Sequence, residues 1–460
     1  MKRVDGNTNK GITQSHTRMI AYSAGGLTFA LTSQCFSTYV QFFYIDVLKL
    51  TATWVGVAMV VYGIWNAFND PLAGHISDRT QTRWGRRIPY IAFGTVPLAA
   101  CFIFVWTPPS QFGEGQALWL FVYFFLIILL FDTLWTFVAL NWTALFPEMF
   151  PDLRQRARVS GLRQFFAIPG LILGIALAPV LYGSLGWIWM GIIFGIISGI
   201  FLFTSLLGSW ERPEFRQDKP LNFWNALRIT FSNRAFRLFL VINFCIQFAF
   251  VMLTATVPFY AKYVLGLDDT QTSLMLGATF ITVVPCLYLW TKTTQRFGAR
   301  RALLAALVVF AVTLFPLLAT NSFLQAIIAF ICIGVGLAGL LMLTDILVAD
   351  VVDEDELQTG VRREGMYFGM NGFVIRFAIS VQSLLLTQTL NITGYTPDLL
   401  IQPDSVLLGL RVMMSAVPFI ALLVAFLATK AYPLDGSRLA QIKKQVALLH
   451  KEKAARNMPR

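Results

Sequence analysis

The sequence predicts an all-α membrane protein with twelve transmembrane helices, arranged as two six-helix repeats. Three observations lead to this fold class: long uncharged apolar runs, a one-sided distribution of basic residues, and motifs that recur in both halves of the chain. The 460 residues are 56% hydrophobic and only 13% charged, whereas soluble proteins carry about 25% charged residues. This composition excludes a soluble multidomain enzyme and a disordered chain.

Twelve apolar segments are long enough to cross a bilayer, whose hydrocarbon core of about 30 Å needs roughly 20 helical residues. Their apolar runs are continuous, as in Ala117–Phe131, and so predict helices rather than the alternating strands of a membrane barrel. The first apolar run is too long for a secretory signal, so we expect it to remain as the first span. The predicted spans are 19–47, 52–77, 88–107, 117–145, 159–182, 185–209, 236–264, 271–295, 301–320, 323–351, 364–389 and 405–431.

The basic residues lie almost entirely on one side of the predicted membrane. Of the 36 lysines and arginines, all but Lys49, Lys262, Arg376 and Arg411 fall in the tails, the central linker or the loops of that side. Such an asymmetry marks cytoplasmic loops, so we expect both termini in the cytoplasm. It also explains the net charge of +12 by membrane topology, and no nucleic-acid partner is expected.

A polar stretch at 210–235 separates six predicted spans from six. Its amphipathic piece, 221–228, is expected to lie along the inner membrane surface. The segment 436–460 has the same character, and a solvated basic tail is the alternative for both. The predicted units are an N-terminal bundle at 1–209, a linker at 210–235, a C-terminal bundle at 236–431 and a basic cytoplasmic tail at 432–460.

The two halves repeat each other's motifs. Phe43-Tyr44-x-x-Val47-Leu48 closes the first span, and Phe259-Tyr260-x-x-x-Val264-Leu265 closes the seventh. The basic loops Arg83–Arg87 and Arg296–Arg301 follow the second and eighth spans. Duplication of a six-span unit accounts for this spacing, and parallel repeats of this kind build transporters that rock about a central site.

The loop between the second and third spans resembles the signature loop of the major facilitator superfamily. It carries the pattern Gly74-x-x-x-Asp78-Arg79-x-x-x-Arg83-x-Gly85-Arg86-Arg87. An aspartate there can anchor neighbouring arginines or a helix N-terminus. We therefore expect a conformational latch, with a mere topogenic signal as the alternative, and its predicted members are Asp78, Arg79, Arg86 and Arg87.

A longer pattern, Asn69-Asp70-Pro71-Leu72-x-Gly74, precedes this loop and resembles the glycoside–pentoside–hexuronide:cation symporter family, which is melibiose permease-like. The segments Ala144-Leu145-x-Pro147-Glu148, Arg163-Gln164-x-Phe166 and Arg363-Glu364-Gly365 agree with it in order. The resemblance implies the major facilitator fold. It also implies secondary active transport across the cell membrane (inner or plasma membrane) by a multi-pass monomer without a resident cofactor.

A cation site is predicted on the second span. Asn66 and Asp70 are four residues apart and share one helix face, and Pro71 loosens the turn before it. In the permeases that the chain resembles, two acids with this spacing bind the coupling cation, and here the first of them is Asn66. One carboxylate fewer weakens a Na⁺ site, so Na⁺, H⁺ and no coupling all stay open. A structural aspartate tied to the loop arginines is the alternative for Asp70.

Sugars stack on aromatic rings and bond to planar polar side chains, which makes Trp142 beside Asn141 and Trp65 beside Asn66 the candidates for solute contact. The family's sugar-binding acids fall near Ala30 and Ala139, so its galactoside specificity does not carry over.

Three charged residues complete the predicted substrate site. Asp132 has two interpretations, as a solute ligand from another depth or as the partner of a cation. A buried arginine needs an anion or a set of acceptors. Arg376 therefore predicts a substrate contact, a counter-charge to Asp70 or a structural bridge between the halves. Arg163 matches an arginine at the start of the fifth span in the family that the chain resembles, and it is predicted as a substrate contact.

A second gate is predicted at the inner end of the tenth span. Asp350 and Asp353 face the same side as Arg296, so ion pairs between helices can close that side; a solvated loop is the alternative.

The sequence as a whole predicts a cation-coupled symporter of a glycoside or other sugar-like solute, whose partners are that solute and the lipid bilayer. No Walker loop, metal-ligand spacing or nucleophile–base set supports an enzyme. The five cysteines lie in predicted spans without the spacing of a metal site or disulfide framework. Two alternatives remain: a carrier of another cargo on the same fold, such as a lysolipid or an organic anion, and a non-transporting receptor or scaffold.

Overall fold

The computed structural model describes residues 16–109, 116–150, 153–211, 233–359, 364–397, 399 and 401–456. The predicted amphipathic piece at 221–228 lies outside them. The α-helices are α1 His16–Ser23, α2 Gly25–Phe42, α3 Ala52–Arg79, α4 Ile88–Trp106, α5 Ala117–Met149, α6 Leu153–Ile172, α7 Ala178–Leu185, α8 Trp187–Leu207, α9 Arg234–Phe259, α10 Asp269–Phe297, α11 Ala299–Leu314, α12 Phe323–Thr359, α13 Glu364–Thr393, α14 Asp404–Met414, α15 Ala416–Ala431 and α16 Gly436–Arg456.

Each predicted span corresponds to one helix or to helices joined end to end. The largest differences in length are at α6, which begins at Leu153, and at α12, which continues to Thr359 and includes the acidic cluster. By length and composition, ten helical stretches of the described residues can cross a membrane. These stretches do not include the first and second spans, because the first is rich in Ser, Thr and Gln and the second carries Asn66, Asn69 and Asp70.

Single π turns interrupt or end three of the spans. The turn Phe43–Val47 ends the first span and Tyr260–Val264 ends the seventh, so the recurring aromatic motifs of the two halves adopt the same local structure. A third turn, Leu173–Leu177, separates α6 from α7. Single-turn π bulges are rare overall, but those that occur are frequently found at functional sites.

The N-terminal and C-terminal halves meet along three pairs of elements: α2 with α9, α3 with α13, and α10 with the segment from Leu173 to α7. Small residues allow the close approach. A Cβ atom added at Gly63 lies 1.6 Å from Ser380 Oγ, and one added at Gly56 lies 2.4 Å from Thr387 Oγ1. Glycine commonly lets membrane helices approach in this way.

The helix bundle has a basic side and an opposite side. The basic side carries the loop 80–87 and helix α16, and the opposite side carries the connections 48–51, 265–268 and 394–403. Helix α16 packs on α12 through buried Ile442 and Val446, and Lys443 Nζ lies 2.9 Å from Asp350 Oδ1. The amphipathic segment predicted near the C-terminus therefore packs against the helix bundle.

Candidate functional site

A charged cluster lies midway along the helices and joins the two halves. Asp70 on α3 forms an ion pair with Arg376 on α13. The same guanidinium nitrogen, Nη1, also donates to Asn66 Oδ1. The guanidinium lies 5.6 Å from the ring centre of Trp135 on α5. Of the interpretations that the sequence allowed for Arg376, the geometry includes both the counter-charge to Asp70 and a bridge between the halves.

Asp132 belongs to the same cluster. It is 3% exposed, and its carboxylate accepts hydrogen bonds from Asn66 Nδ2 and from Asn69 Nδ2, the latter at 3.0 Å. Asn69 Oδ1 is buried and has no hydrogen-bond partner among the described residues. The neighbouring helix α5 thus supplies a second carboxylate beside Asn66, where the family pattern has an acid on α3.

The cluster presents an oxygen-rich set of side chains. Besides the guanidinium it contains two carboxylates and two amides, and Thr136 Oγ1 donates to Asp70 Oδ1 at 3.2 Å. Carboxylate and amide oxygens are the ligands that hard cations take in proteins. Arg376 supplies the positive charge in this structure, because buried carboxylates require a counter-charge or a proton.

Trp142, predicted as a stacking platform, is packed inside the N-terminal half. Its ring stacks on Tyr22 with centroids 5.1 Å apart, and its Nε1 donates to Ser205 Oγ at 2.8 Å. Arg163 lies 4.2 Å from its ring centre. The indole is 3% exposed, so in this conformation a solute has no free face of this ring to stack on.

The other predicted solute contacts differ in accessibility. Trp65 is 36% exposed and donates its indole N–H to Thr133 Oγ1 at 3.0 Å. Asn141 donates to the Phe137 carbonyl of its own helix at 2.8 Å, and its Oδ1 is buried without a partner in the described part of the chain. The structure groups neither side chain with Trp142 as one aromatic platform.

Sequence reasoning passed over Trp135 as a site residue. It lies beneath the Arg376 guanidinium, and its Nε1 is buried without a hydrogen-bond acceptor among the described residues. The available signal was its position three residues after Asp132, because residues at that spacing share a helix face.

The predicted latch residues form contacts within the N-terminal half. Arg86 and Arg87 donate to Glu148 Oε1 at 2.7 and 2.9 Å. Arg79 is exposed, and the side chain of Asp78 lies outside the described part of the chain. The sequence did not single out Glu211, whose carboxylate accepts the backbone N–H groups of Arg86, Arg87 and Ile88 at 2.9, 2.6 and 2.8 Å.

We predict that Glu211→Ala lowers the melting temperature of the purified protein, because the carboxylate satisfies three backbone donors at the start of α4. Loss of an N-terminal cap costs about 0.5–2 kcal/mol. A negative charge near a helix N-terminus also interacts favourably with the helix dipole. Glu211→Gln retains one acceptor oxygen, so its melting temperature should fall between those of Glu211→Ala and the unaltered protein. Thermal unfolding in detergent measures the effect, and equal melting temperatures for all three proteins contradict the capping role.

Asp350, a residue of the predicted inner gate, forms an ion pair with a residue other than the one expected. Asp350 pairs with Lys443, and Asp353 is half-buried one turn further along α12. Arg296 is exposed with its guanidinium 5.2 Å from the Phe297 ring centre. The described contacts therefore connect Asp350 to the C-terminal helix rather than to Arg296, because α12 continues past the predicted end of the span and meets α16.

Comparison with known proteins gives one family match. A family model described as "MFS/sugar transport protein" matches residues 21–436. An uncharacterized symporter of Synechocystis is 25% identical, over 94% of this chain and 96% of its own length. The sodium-dependent lysophosphatidylcholine symporter 1-A of Danio rerio is 24% identical, over 94% and 88% of the two chains. The isoprimeverose transporter of Lactiplantibacillus pentosus is 26% identical, over 82% and 80%.

Two solved transporter structures have a similar fold. The D-xylose–proton symporter superposes with a TM-score of 0.65 at 13% identity, covering 90% of this chain and 97% of its own. The nucleoside transporter NupG gives 0.64 at 13% identity, covering 91% and 100%. At this identity the similarity establishes the major facilitator fold that the sequence predicted.

Proposed function

Because the chain belongs to the MFS/sugar transport protein family, whose members are multi-pass membrane transporters, we propose that it performs cation-coupled symport of a glycoside or other sugar-like solute. The observation that carries this proposal is the Asp70–Arg376 pair, which joins the two halves at mid-span beside Asp132. Charged groups at membrane depth are costly and mark transport pathways. We place the basic side in the cytoplasm of a cell-membrane protein, following the positive-inside rule.

The cluster explains how an ion can be linked to the movement of the halves. Asp70, Asp132 and Asn66 belong to the N-terminal half, whereas Arg376 belongs to the C-terminal half. Movement of α13 away from α3 removes the positive charge from the two carboxylates. A Na⁺ ion or a proton then replaces it, since two neighbouring carboxylates without a counter-charge are unfavourable. Cation binding and rearrangement of the halves are thereby coupled in this proposal.

Three buried polar side chains of the N-terminal half support a neutral, hydroxyl-rich cargo. Trp135 Nε1, Gln34 Oε1 and Asn141 Oδ1 are buried and lack partners among the described residues. A site with unsatisfied polar atoms favours solutes that supply hydroxyl groups, because a buried polar atom without a hydrogen bond is unfavourable in free energy. The match to the sugar-transport family and to the isoprimeverose transporter agrees with such a cargo.

A lysolipid is the second candidate cargo, and Arg163 is the observation that favours it. Its guanidinium lies over the rings of Trp142 and Phe146 at 4.2 and 4.9 Å. Among the described residues it forms no ion pair with an acid. A guanidinium suits a phosphate group, and lysophosphatidylcholine symporters are among the relatives.

Uptake into proteoliposomes separates the two cargoes and also tests transport itself. A sugar panel and a lysophosphatidylcholine are offered with Na⁺, without Na⁺, and with a protonophore. We expect accumulation of a sugar that depends on one of the two cation gradients. Accumulation of the lysolipid instead favours the second candidate, and uptake of neither cargo under any gradient favours a receptor or scaffold.

Arg163→Gln distinguishes the cargoes by the size of its effect. A neutral hydrogen bond contributes about 0.5–1.5 kcal/mol and one to a charged group about 1.5–3 kcal/mol. At about 1.4 kcal/mol per factor of ten, sugar uptake should fall several-fold, and uptake of a lysolipid whose phosphate contacts Arg163 should fall by roughly ten- to a hundred-fold. Arg158→Gln, an exposed arginine on the same helix, serves as the control and should leave uptake unchanged.

A further inference from the structure

A buried carboxylate on the opposite side of the molecule is held entirely by the other half. Asp46, in the π turn that ends the first span, is 5% exposed. Its carboxylate accepts hydrogen bonds from Lys262 Nζ at 2.5 Å and from the hydroxyls of Tyr263 and Tyr395. Lys262 and Tyr263 belong to the π turn that ends the seventh span, and Tyr395 follows α13.

Aromatic and amide contacts surround this group. Phe42 packs edge-on against Phe259 with centroids 5.0 Å apart, and Phe259 packs against Tyr395 at 5.8 Å. Nearby, Asn391 Nδ2 donates to Thr53 Oγ1 at 2.9 Å. The pairs Phe42–Phe259 and Asn391–Thr53 join the N-terminal half to the C-terminal half, so the carboxylate lies within a layer of contacts between the halves.

Contacts on the basic side have a different character. The described ion pairs there stay within one half, as Arg86 with Glu148 and Asp350 with Lys443. The described bonds that cross between halves lie toward the opposite side or at Arg376. Among the described residues, hydrogen bonds and ion pairs therefore connect the two halves on the opposite side and at Arg376.

We propose that Asp46, Lys262, Tyr263 and Tyr395 form a polar lock that closes the opposite side, and that exchange of solute on that side requires this lock to open. The inference rests on the proposed transport function. Separation of the halves there removes the donors Lys262, Tyr263 and Tyr395 from the carboxylate at once. The recurring aromatic motifs place Asp46 in one turn and its Lys262 and Tyr263 partners in the matching turn of the other half.

Tyr395 does not make the lock sensitive to pH. Burial and then the neighbouring Asp46 carboxylate raise the pKa of Tyr395 well above its usual range. The hydroxyl consequently stays protonated and remains a donor across the physiological range. Deprotonation of Tyr395 is therefore not the trigger of opening.

The test measures access to a cysteine placed below the lock. Gln382 is fully buried and bonds to Gln41 across the interface at 3.2 Å, so Gln382→Cys reports on opening. A membrane-impermeant maleimide is added from the opposite side to vesicles of the Gln382→Cys protein, with and without Asp46→Asn. We expect Asp46→Asn to raise the labelling rate by about tenfold or more, through a shift of the population toward the open state.

Controls keep the result interpretable. Tyr395→Phe removes a single hydroxyl and should raise labelling by a smaller factor, which preserves the test if Asp46→Asn fails to fold. Asp404→Asn alters an exposed acid at the start of α14 and should leave labelling unchanged, and the chain without Gln382→Cys gives the background. Unchanged labelling in both lock variants overturns the proposal. Labelling needs no solute, so its outcome is independent of whether the proposed cargo is correct.

Discussion

Replacing Asp70 with asparagine abolishes uphill accumulation of the solute while exchange of solute across the membrane continues. Asparagine cannot release a proton and binds a cation far more weakly than a carboxylate does. Accumulation requires that ion binding be coupled to movement of the halves, whereas exchange requires only that the loaded carrier alternate. The loss is therefore expected in the driven process, where the accumulation ratio should fall to about one because a carrier that no longer binds the ion is not coupled to the ion gradient.

The measurement compares gradient-driven uptake with counterflow in the same proteoliposome preparation. Asp435→Asn is the matched control, since Asp435 also pairs with an arginine, Arg300 at 3.2 Å, away from the central cluster. This control should keep both activities. Concentrative uptake by Asp70→Asn at the rate of the unaltered protein would refute the cation role of Asp70.

Replacing Arg376 with glutamine stops transport and strengthens cation binding at the cluster. The substitution leaves Asp70 without its ion-pair partner and removes a positive charge near Asp132. Leaving one member of a buried ion pair unpaired costs about 3–5 kcal/mol. Asp70 keeps a side-chain exposure of 31%, which reduces that cost. An inorganic cation bound at the cluster can offset the remaining cost of the unpaired carboxylate. Transport stops because the bridge from Arg376 to α3 is lost.

Thermal stability in Na⁺ and in choline measures this change, because a ligand that binds the folded state raises its stability. We expect a larger Na⁺-dependent rise in melting temperature for Arg376→Gln than for the unaltered protein; with proton coupling, the larger rise should appear on acidification instead. Arg411→Gln is the matched control. Arg411 also lies in a span, but it donates to the carbonyls of Leu318 and Thr320 at 2.7 and 2.9 Å, so its loss should lower stability in both salts equally. Identical cation responses of Arg376→Gln and the unaltered protein exclude competition between Arg376 and the ion.

The spans and the in-membrane charges were predictable from the sequence because each depends on local composition. Apolar length fixes the helices, and a lone Asp70 or Arg376 within such a run stands out without any knowledge of packing. The contact between these two residues was one of several open interpretations. It depends on how the second and eleventh spans pack, which no local pattern determines.

Other features depend on contacts across long sequence distances and were not predictable. Asp132 completes the cluster because α5 turns that residue toward Asn66, and helix rotation is set by packing. Trp142 is covered by Tyr22, a residue of the first span. Glu211 bonds to a loop more than a hundred positions earlier, and Asp46 finds its partners only when the halves come together.

Solute-dependent cation flux into proteoliposomes tests the central claim most directly. The vesicles hold no ion gradient at the start, a sugar gradient is imposed, and Na⁺ entry and internal pH are followed together. The account predicts that the moving sugar carries one of these ions with it, and that Asp70→Asn abolishes the ion signal. Sugar movement with neither Na⁺ nor proton flux in the unaltered protein would contradict cation-coupled symport.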